Sequence, residues 1–238
     1  MVVDPRPEID TRRYIKTTDR PLRQPPVETT HTTDKIPFIS KTSRIKPYVA
    51  HNKDIVHPES IERMANAKQI RIQRETECDA PVIEEVTAVA FMDAEHAGHN
   101  EQFIVRGLRE ANQLTISLVA EDEATLAIVG HVAVSPVTIS DGSESWYGLG
   151  PISVRPEHQG RGIGSLLMER ALADLQTSHA AAGCVVLGDP KYYTRFGFKA
   201  DPSLRFPGAP AVYFMALAWR EPAPSGTVSF HEAFEATG

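Results

Sequence analysis

Three glycines alternate at positions 160, 162 and 164 in the run Gln159-Gly160-Arg161-Gly162-Ile163-Gly164-Ser165. They stand between an apolar run, Trp146 to Val154, and an amphipathic stretch that opens at Gly162. That layout suits a loop that wraps a phosphate. Backbone N–H groups freed at a helix start converge on one spot, and the helix dipole favours negative charge there. Glycine lets the main chain come close and take φ values that a Cβ forbids. The Arg161 side chain reads equally well as a phosphate-side cation or as a solvated surface charge.

The strand before the loop carries a second signal. Connectivity makes it central, yet it contains Pro151, which cannot donate to a ladder. A bulge at Gly150-Pro151 would part this strand from its neighbour, the Cys184–Leu187 strand. The main-chain groups of Ile152, Ser153 and Val154 would then pair with a ligand running alongside like an added strand. A ligand with amides in its tail and phosphates at its head fits both features, and pantetheine joined to pyrophosphate has this shape. The same glycines nearly spell the dinucleotide pattern G-x-G-x-x-G, with Asp189 ending the next strand. Against that reading, Ser165 holds the third place, Asp189 is distant, and the motif follows several hairpin-like strands.

These residues need elements to hold them. Ile70 to Gln73 alternates as a short strand. Asp79 before Ala80-Pro81 is an N-cap signal for a helix to about Phe91, and a second helix covers about 100–110. Thr115 to Ala120 and Ala127 to Ile139 read as strands. Asp141-Gly142 marks a hairpin turn, and Trp146 to Val154 returns. From Gly162 to about Thr177, Ile163, Leu167, Ala171 and Leu175 form the core stripe of a helix. Cys184 to Leu187 is a short buried strand, Lys191 to Arg195 a short helix, and Val212 to Trp219 the last strand. The order β-α-α-β-β-β-α-β-α-β predicts an α/β (α+β) fold, a mixed sheet flanked by helices.

Composition changes near Met64. Residues 1–63 hold eight of the eighteen prolines, no glycine, and twelve Lys/Arg against nine Asp/Glu, whereas the remainder has thirteen against twenty-two. We expect 1–63 to be a disordered arm, or an over-extended start with Met64 as the natural initiator, and 64–238 to be one globular domain. The net charge of −6 argues against a general nucleic-acid binder. Cys78 and Cys184 lack metal-ligand spacing and read as free thiols in a reducing compartment. No apolar run approaches a membrane span, and Asp4, Pro5, Arg6, Pro7 and Glu8 replace a signal core, so the expected location is the cytoplasm.

Gln159-Gly160-Arg161-Gly162-Ile163-Gly164 resembles the (Arg/Gln)-x-x-Gly-x-(Gly/Ala) coenzyme A signature of the GNAT superfamily of N-acetyltransferases. Gly148-Leu149-Gly150-Pro151, Leu187-Gly188-Asp189-Pro190, the run Tyr192 to Phe198 and the tail Pro222 to Val228 are similar to its YhbS-like subgroup. The resemblance covers about Gln69 to Phe234. It implies acetyl-CoA held between two splayed parallel strands, 149–154 and 184–188, and direct transfer of acetyl to a small-molecule or peptide amine, with no metal. It implies that Ile152 and Val154 offer backbone groups to the pantetheine arm and that Gln159 through Ser165 cradle the pyrophosphate. Tyr193, four residues before Gly197, matches the tyrosine that faces the coenzyme sulfur, with Tyr192 the substitute if the register slips.

The chemistry needs such a donor, because expelling a bare thiolate is uphill. A base for the amine is not evident: His131, Glu157, His158 and Asp189 are candidates by type alone. Glu84, Glu85, Asp93 and Glu95 could attract a cationic acceptor or be merely solvated. A non-catalytic acyl-CoA-binding module is the alternative class. The sequence leaves a homodimer open.

Overall fold

The computed structural model describes residues 69–93 and 98–236. The expected arm, 1–63, and the Met64 boundary lie outside the described residues. In chain order the strands are β1 Ile70–Arg74, β2 Ile116–Asp122, β3 Ile128–Pro136, β4 Thr138–Ile139, β5 Trp146–Val154, β6 Gly183–Leu187, β7 Leu204–Arg205, β8 Phe214–Ala218 and β9 Gly226–Ser229. The helices are α1 Ala80–Phe91, α2 Glu101–Glu110, α3 Ile163–Ser178 and the single turn α4 Pro190–Tyr193.

Six strands form the main sheet in the order β1-β2-β3-β5-β6-β8. Neighbours run antiparallel except β5 and β6, which are parallel. Alternation along the strands gives each face its own partner. Ile116, Leu118, Ala120, Val132 and Val134 pack with Leu167, Met168, Ala171 and Leu175, the predicted stripe of α3. On the opposite face Val119 and Ala133 meet Ile83 and Val86 of α1 and Val105 of α2. Each such side chain, fully buried, contributes roughly 1.5–3 kcal/mol.

The expected elements are present, with three local differences. Asp79 sits at the N-cap of α1, but its carboxylate turns back to accept from the Thr76 amide at 2.7 Å and the Thr76 hydroxyl at 3.0 Å. It therefore caps the 3₁₀ turn Glu77–Asp79 instead of the helix. The run read as one strand to Ile139 ends at Pro136, and β4 leaves the main sheet. It joins β9 and β7 in a second, three-stranded sheet, order β4-β9-β7, over a small core that includes Ile139, Trp146, Val185, Leu204 and Val228. Strands of two to four residues are too short for periodicity to reveal. The short helix 191–195 resolves into α4 and a 3₁₀ turn, Thr194–Phe196.

Candidate active site

The two central parallel strands come apart as the proline foretells. β5 and β6 pair only at Trp146↔Gly183, Tyr147↔Cys184 and Gly148↔Val185. Beyond that point β6 stays on β8, through Val186↔Met215 and Leu187↔Phe214, while β5 stays on β3. Between the pairs Val134↔Leu149 and Val132↔Ile152, β3 supplies one residue, Ala133, and β5 supplies two, Gly150 and Pro151. This is the bulge. Past it, the Arg155 amide donates to the Val129 carbonyl at 2.9 Å. Main-chain groups alternate sides along a strand, so Ser153 and Arg155 face β3 whereas Ile152 and Val154 face the gap. Ser153 is buried, its Oγ 3.3 Å from Thr87 Oγ1.

At one end of the gap lies the glycine loop. Gly160 and Gly162 take φ of +76° and +85°, left-handed values that glycine adopts freely. Ser165 and Leu166 both donate to the Gly162 carbonyl. Among the described residues no backbone carbonyl accepts from the amides of Gly160, Arg161, Gly162, Ile163 or Gly164. These donors and the start of α3 face a pocket that Val154, Gln159 and Ser165 also line. Gly164 is needed for space, since a Cβ there would come within 2.8 Å of the Tyr192 hydroxyl. Gln159 does a different job from cradling: its Nε2 donates to the Val154 carbonyl at 2.9 Å and ties the loop to the strand end. The exposed Arg161 guanidinium donates to the Glu157 carbonyl at 2.9 Å and does not line the pocket. The cation on the pocket wall is instead Arg195, stacked 4.1 Å above the Tyr192 ring, with His158 opposite. The sequence reads His158 only as a candidate base, and it gives Arg195, inside the Tyr192–Phe198 run, no role of its own.

At the other end is a cavity, open at its mouth. Leu149, Gly150, Pro151 and Ile152 form one wall, and Leu187 and Tyr193 form the facing one. Phe206, Phe230 and Phe234 close it, with Phe91 and Glu101 from the helices. Asp189 starts α4 by accepting from the Lys191 amide at 2.8 Å, with Pro190 in the first turn. That aims Tyr193 into the cavity and Tyr192 at the loop, which separates the two tyrosines by place. Tyr193 is 5% exposed, edge-on to Tyr192 at 5.0 Å and to Phe198 at 6.0 Å. Burial pushes its phenol well above the ordinary range, aided by the neighbouring Tyr192. It stays protonated at neutral pH.

The other candidates are elsewhere. His131 is fully buried on the α1/α2 face of the sheet and lines neither pocket. Arg109 grips Glu75 with two hydrogen bonds, of 3.0 and 2.8 Å, and Ser117 Oγ donates to Glu75 at 2.5 Å. Having used its proton there, Ser117 accepts from His131 Nε2 at 2.8 Å, and among the described residues Nδ1 has no hydrogen-bond partner. Burial lowers the His131 pKa to about 4, so the ring is neutral. Burial would raise the Glu75 carboxyl, but the Arg109 and Ser117 hydrogen bonds outweigh it and hold it low.

Two of the acids that could attract a cation are already paired. Glu84 binds Arg106, and Glu85 binds Arg155. Asp93 also has an interaction partner, and Glu95 lies outside the described residues. Among the described residues, no group of three or more His, Cys, Asp or Glu is arranged to hold a metal ion, and no helix is long and apolar enough to cross a membrane.

Known proteins resemble this chain. Residues 113–200 match the family model described as acetyltransferase (GNAT) domain. The uncharacterized N-acetyltransferase YhbS of Escherichia coli K12 is 33% identical over 170 residues, 68% of this chain and 97% of YhbS. The crystal structure of YhbS from Escherichia coli in complex with CoA superposes with a TM-score of 0.64 at 31% identity, over 71% of this chain and 94% of that one. A GNAT family acetyltransferase from Brucella melitensis, in complex with acetyl-CoA, is 44% identical with a TM-score of 0.61, over 69% of this chain and 97% of that one. A splayed β5/β6 pair, a glycine loop at one end of the split and relatives this similar over nearly their whole length have one reading: the chain belongs to the GNAT family of acetyltransferases.

Proposed function

We propose that residues 64–238 transfer an acetyl group from acetyl-CoA to a primary amine. The observation that carries this reading is the gap beside β5, with an amide-rich pocket at one end and a tyrosine-walled cavity at the other. The diphosphate of the coenzyme sits on the amides of Gly160 to Gly164, where the α3 dipole favours it. The pantetheine arm runs along the free main-chain groups of Ile152 and the amide of Val154, as an added strand. Arg195 and His158 flank the phosphates.

Much of the rate comes from holding an amine against the thioester. A strand N–H at the bulge polarises the thioester carbonyl. Tyr193 supplies the proton that the departing sulfur needs. A phenol held in its neutral form by burial is suited to that role, and such a donor contributes on the order of 10²–10⁴-fold.

The test is release of free thiol from acetyl-CoA across a panel of amines, peptides and amino acids, together with titration of CoA and NAD. CoA binding with amine-dependent thiol release is expected. CoA binding without thiol release on every amine would make the chain an acyl-CoA-binding module, and preference for NAD would overturn the assignment of the loop.

A further inference from the structure

The cavity at the Tyr193 end contains a group that an apolar pocket does not hold without reason. Glu101, the first residue of α2, is 2% exposed. Its Oε1 accepts from the Gly98 amide at 2.7 Å, an ordinary helix-start contact. Its Oε2 is buried and has no hydrogen-bond partner among the described residues, and the side chain lines the cavity. Among the described lining residues Glu101 and Tyr193 alone are ionisable, and three of the others are phenylalanines from the C-terminal segment. Those rings touch one another: Phe206 and Phe230 meet edge-on at 5.2 Å, and Phe230 and Phe234 are tilted at 4.8 Å. A bare carboxylate oxygen in such surroundings is costly unless a cation or donor meets it.

Resting on the acetyl-transfer reading above, we propose that Glu101 is the counter-ion and proton acceptor for the acceptor amine, and that this acceptor is a monoamine with an aromatic or alkyl body. One carboxylate matches one ammonium. A polyamine or an aminoglycoside would carry further charges into the phenylalanine wall with no second carboxylate among the described lining residues to neutralise them. An aromatic or aliphatic body fills that wall, and the rings add a face for the ammonium itself.

The protons balance as follows. Glu101 takes one proton from R–NH₃⁺, and the neutral amine attacks the thioester carbon. The C–N bond forms, the C–S bond breaks, and Tyr193 gives its proton to the sulfur. The tyrosinate regains a proton from the acylated nitrogen, and Glu101 returns its own to water.

The experiment compares the full chain with Glu101→Gln, which keeps an oxygen for the Gly98 amide and removes the charge. Thiol release is followed with phenethylamine, tryptamine and hexylamine against spermidine, lysine and kanamycin, from pH 5.5 to 9. Phenethylamine is also titrated calorimetrically into the CoA complex, so binding is read apart from turnover. Expected are a preference of 100-fold or more in kcat/KM for the apolar monoamines and a loss of about 100-fold in Glu101→Gln. Phenethylamine binding should weaken in the variant while CoA affinity is unchanged.

Glu101-dependent phenethylamine binding without thiol release would support the cavity assignment and overturn acetyl transfer. Turnover of apolar monoamines with an unaltered rate and pH profile in Glu101→Gln would reduce Glu101 to a helix cap. Preference for the polycations, or for octanoyl-CoA over acetyl-CoA, would overturn the acceptor class, the latter by giving the cavity to an acyl chain. No binding of the monoamines together with no turnover of any amine would overturn both readings.

Discussion

Gly162 offers a perturbation that separates shape from charge. Its φ of +85° is left-handed, and a Cβ built there meets nothing within 4 Å. Substitution therefore strains the backbone without a clash. Most L-residues are disfavoured there by about 1–2 kcal/mol, and Asn and Asp by less. Gly162→Asn and Gly162→Asp share size and backbone tolerance, so only the carboxylate distinguishes them. A carboxylate about 6 Å from a phosphate charge, at an effective dielectric of roughly 20–80, is repelled by about 1–3 kcal/mol. The Asp variant should bind CoA about 5- to 150-fold more weakly than the Asn variant. Screening shortens from about 10 Å at 0.1 M salt to about 3 Å at 1 M, so the difference should shrink as salt rises. Calorimetric titration of CoA into both variants at two ionic strengths reads this directly. Equal affinities at low salt would mean that the turn does not face the diphosphate, and the loop assignment would fail.

Three further outcomes follow from the same geometry. Tyr193→Phe should lower kcat by about 10²–10⁴-fold with CoA affinity retained; single-turnover thiol release checks it, and an unchanged rate removes Tyr193 from the chemistry. His131 is neutral when folded, with a pKa of about 4, and takes up a proton near 6.5 when unfolded. Its contribution is thus complete above pH 6.5 and is lost as the pH falls toward 4, a change of about 3 kcal/mol; urea midpoints between pH 5 and 7 should slope in the wild type and flatten in His131→Asn. Deleting Pro151 leaves Gly150 alone opposite Ala133 and restores a regular ladder, so CoA binding should disappear while the urea midpoint holds; retained binding would show that the bulge does not open the gap.

The parts of this site that a reader of the sequence can find are those where one residue type has a single physical excuse. Pro151 in a central strand demands a break in pairing, and the break is there. Gly160 and Gly162 before an amphipathic run demand left-handed turns, and they have them. What stays hidden depends on distant partners. Glu84 and Glu85 look free until Arg106 and Arg155 arrive from other elements. Glu101 carries no local signal of its burial in a cavity whose walls Phe206, Phe230 and Phe234 supply from more than a hundred residues further on. Those phenylalanines follow no period, and the strands around them are two to five residues long. Arg161 carries the obvious charge in the loop, yet a nearby carbonyl captures it and Arg195 takes the pocket wall.

β5 also fixes a length. Gly150 stands at the cavity and Val154 at the loop pocket. Four steps of strand separate them, about 13 Å at 3.3 Å per residue. Neither end can drift. β3 holds the strand along one edge, and Gln159 clamps the loop to the Val154 carbonyl at 2.9 Å. In the proposed binding mode, a coenzyme whose diphosphate is seated on the Gly160–Gly164 amides has its sulfur delivered to the bulge by the backbone itself. Binding energy gained at the phosphates, far from the reacting bond, is converted into position at the thioester. The side chains at the Tyr193 end then have only protons and the acceptor to manage. This division explains why the coenzyme end is written in glycines, whose meaning is local, and the acceptor end in residues that only the folded chain brings together.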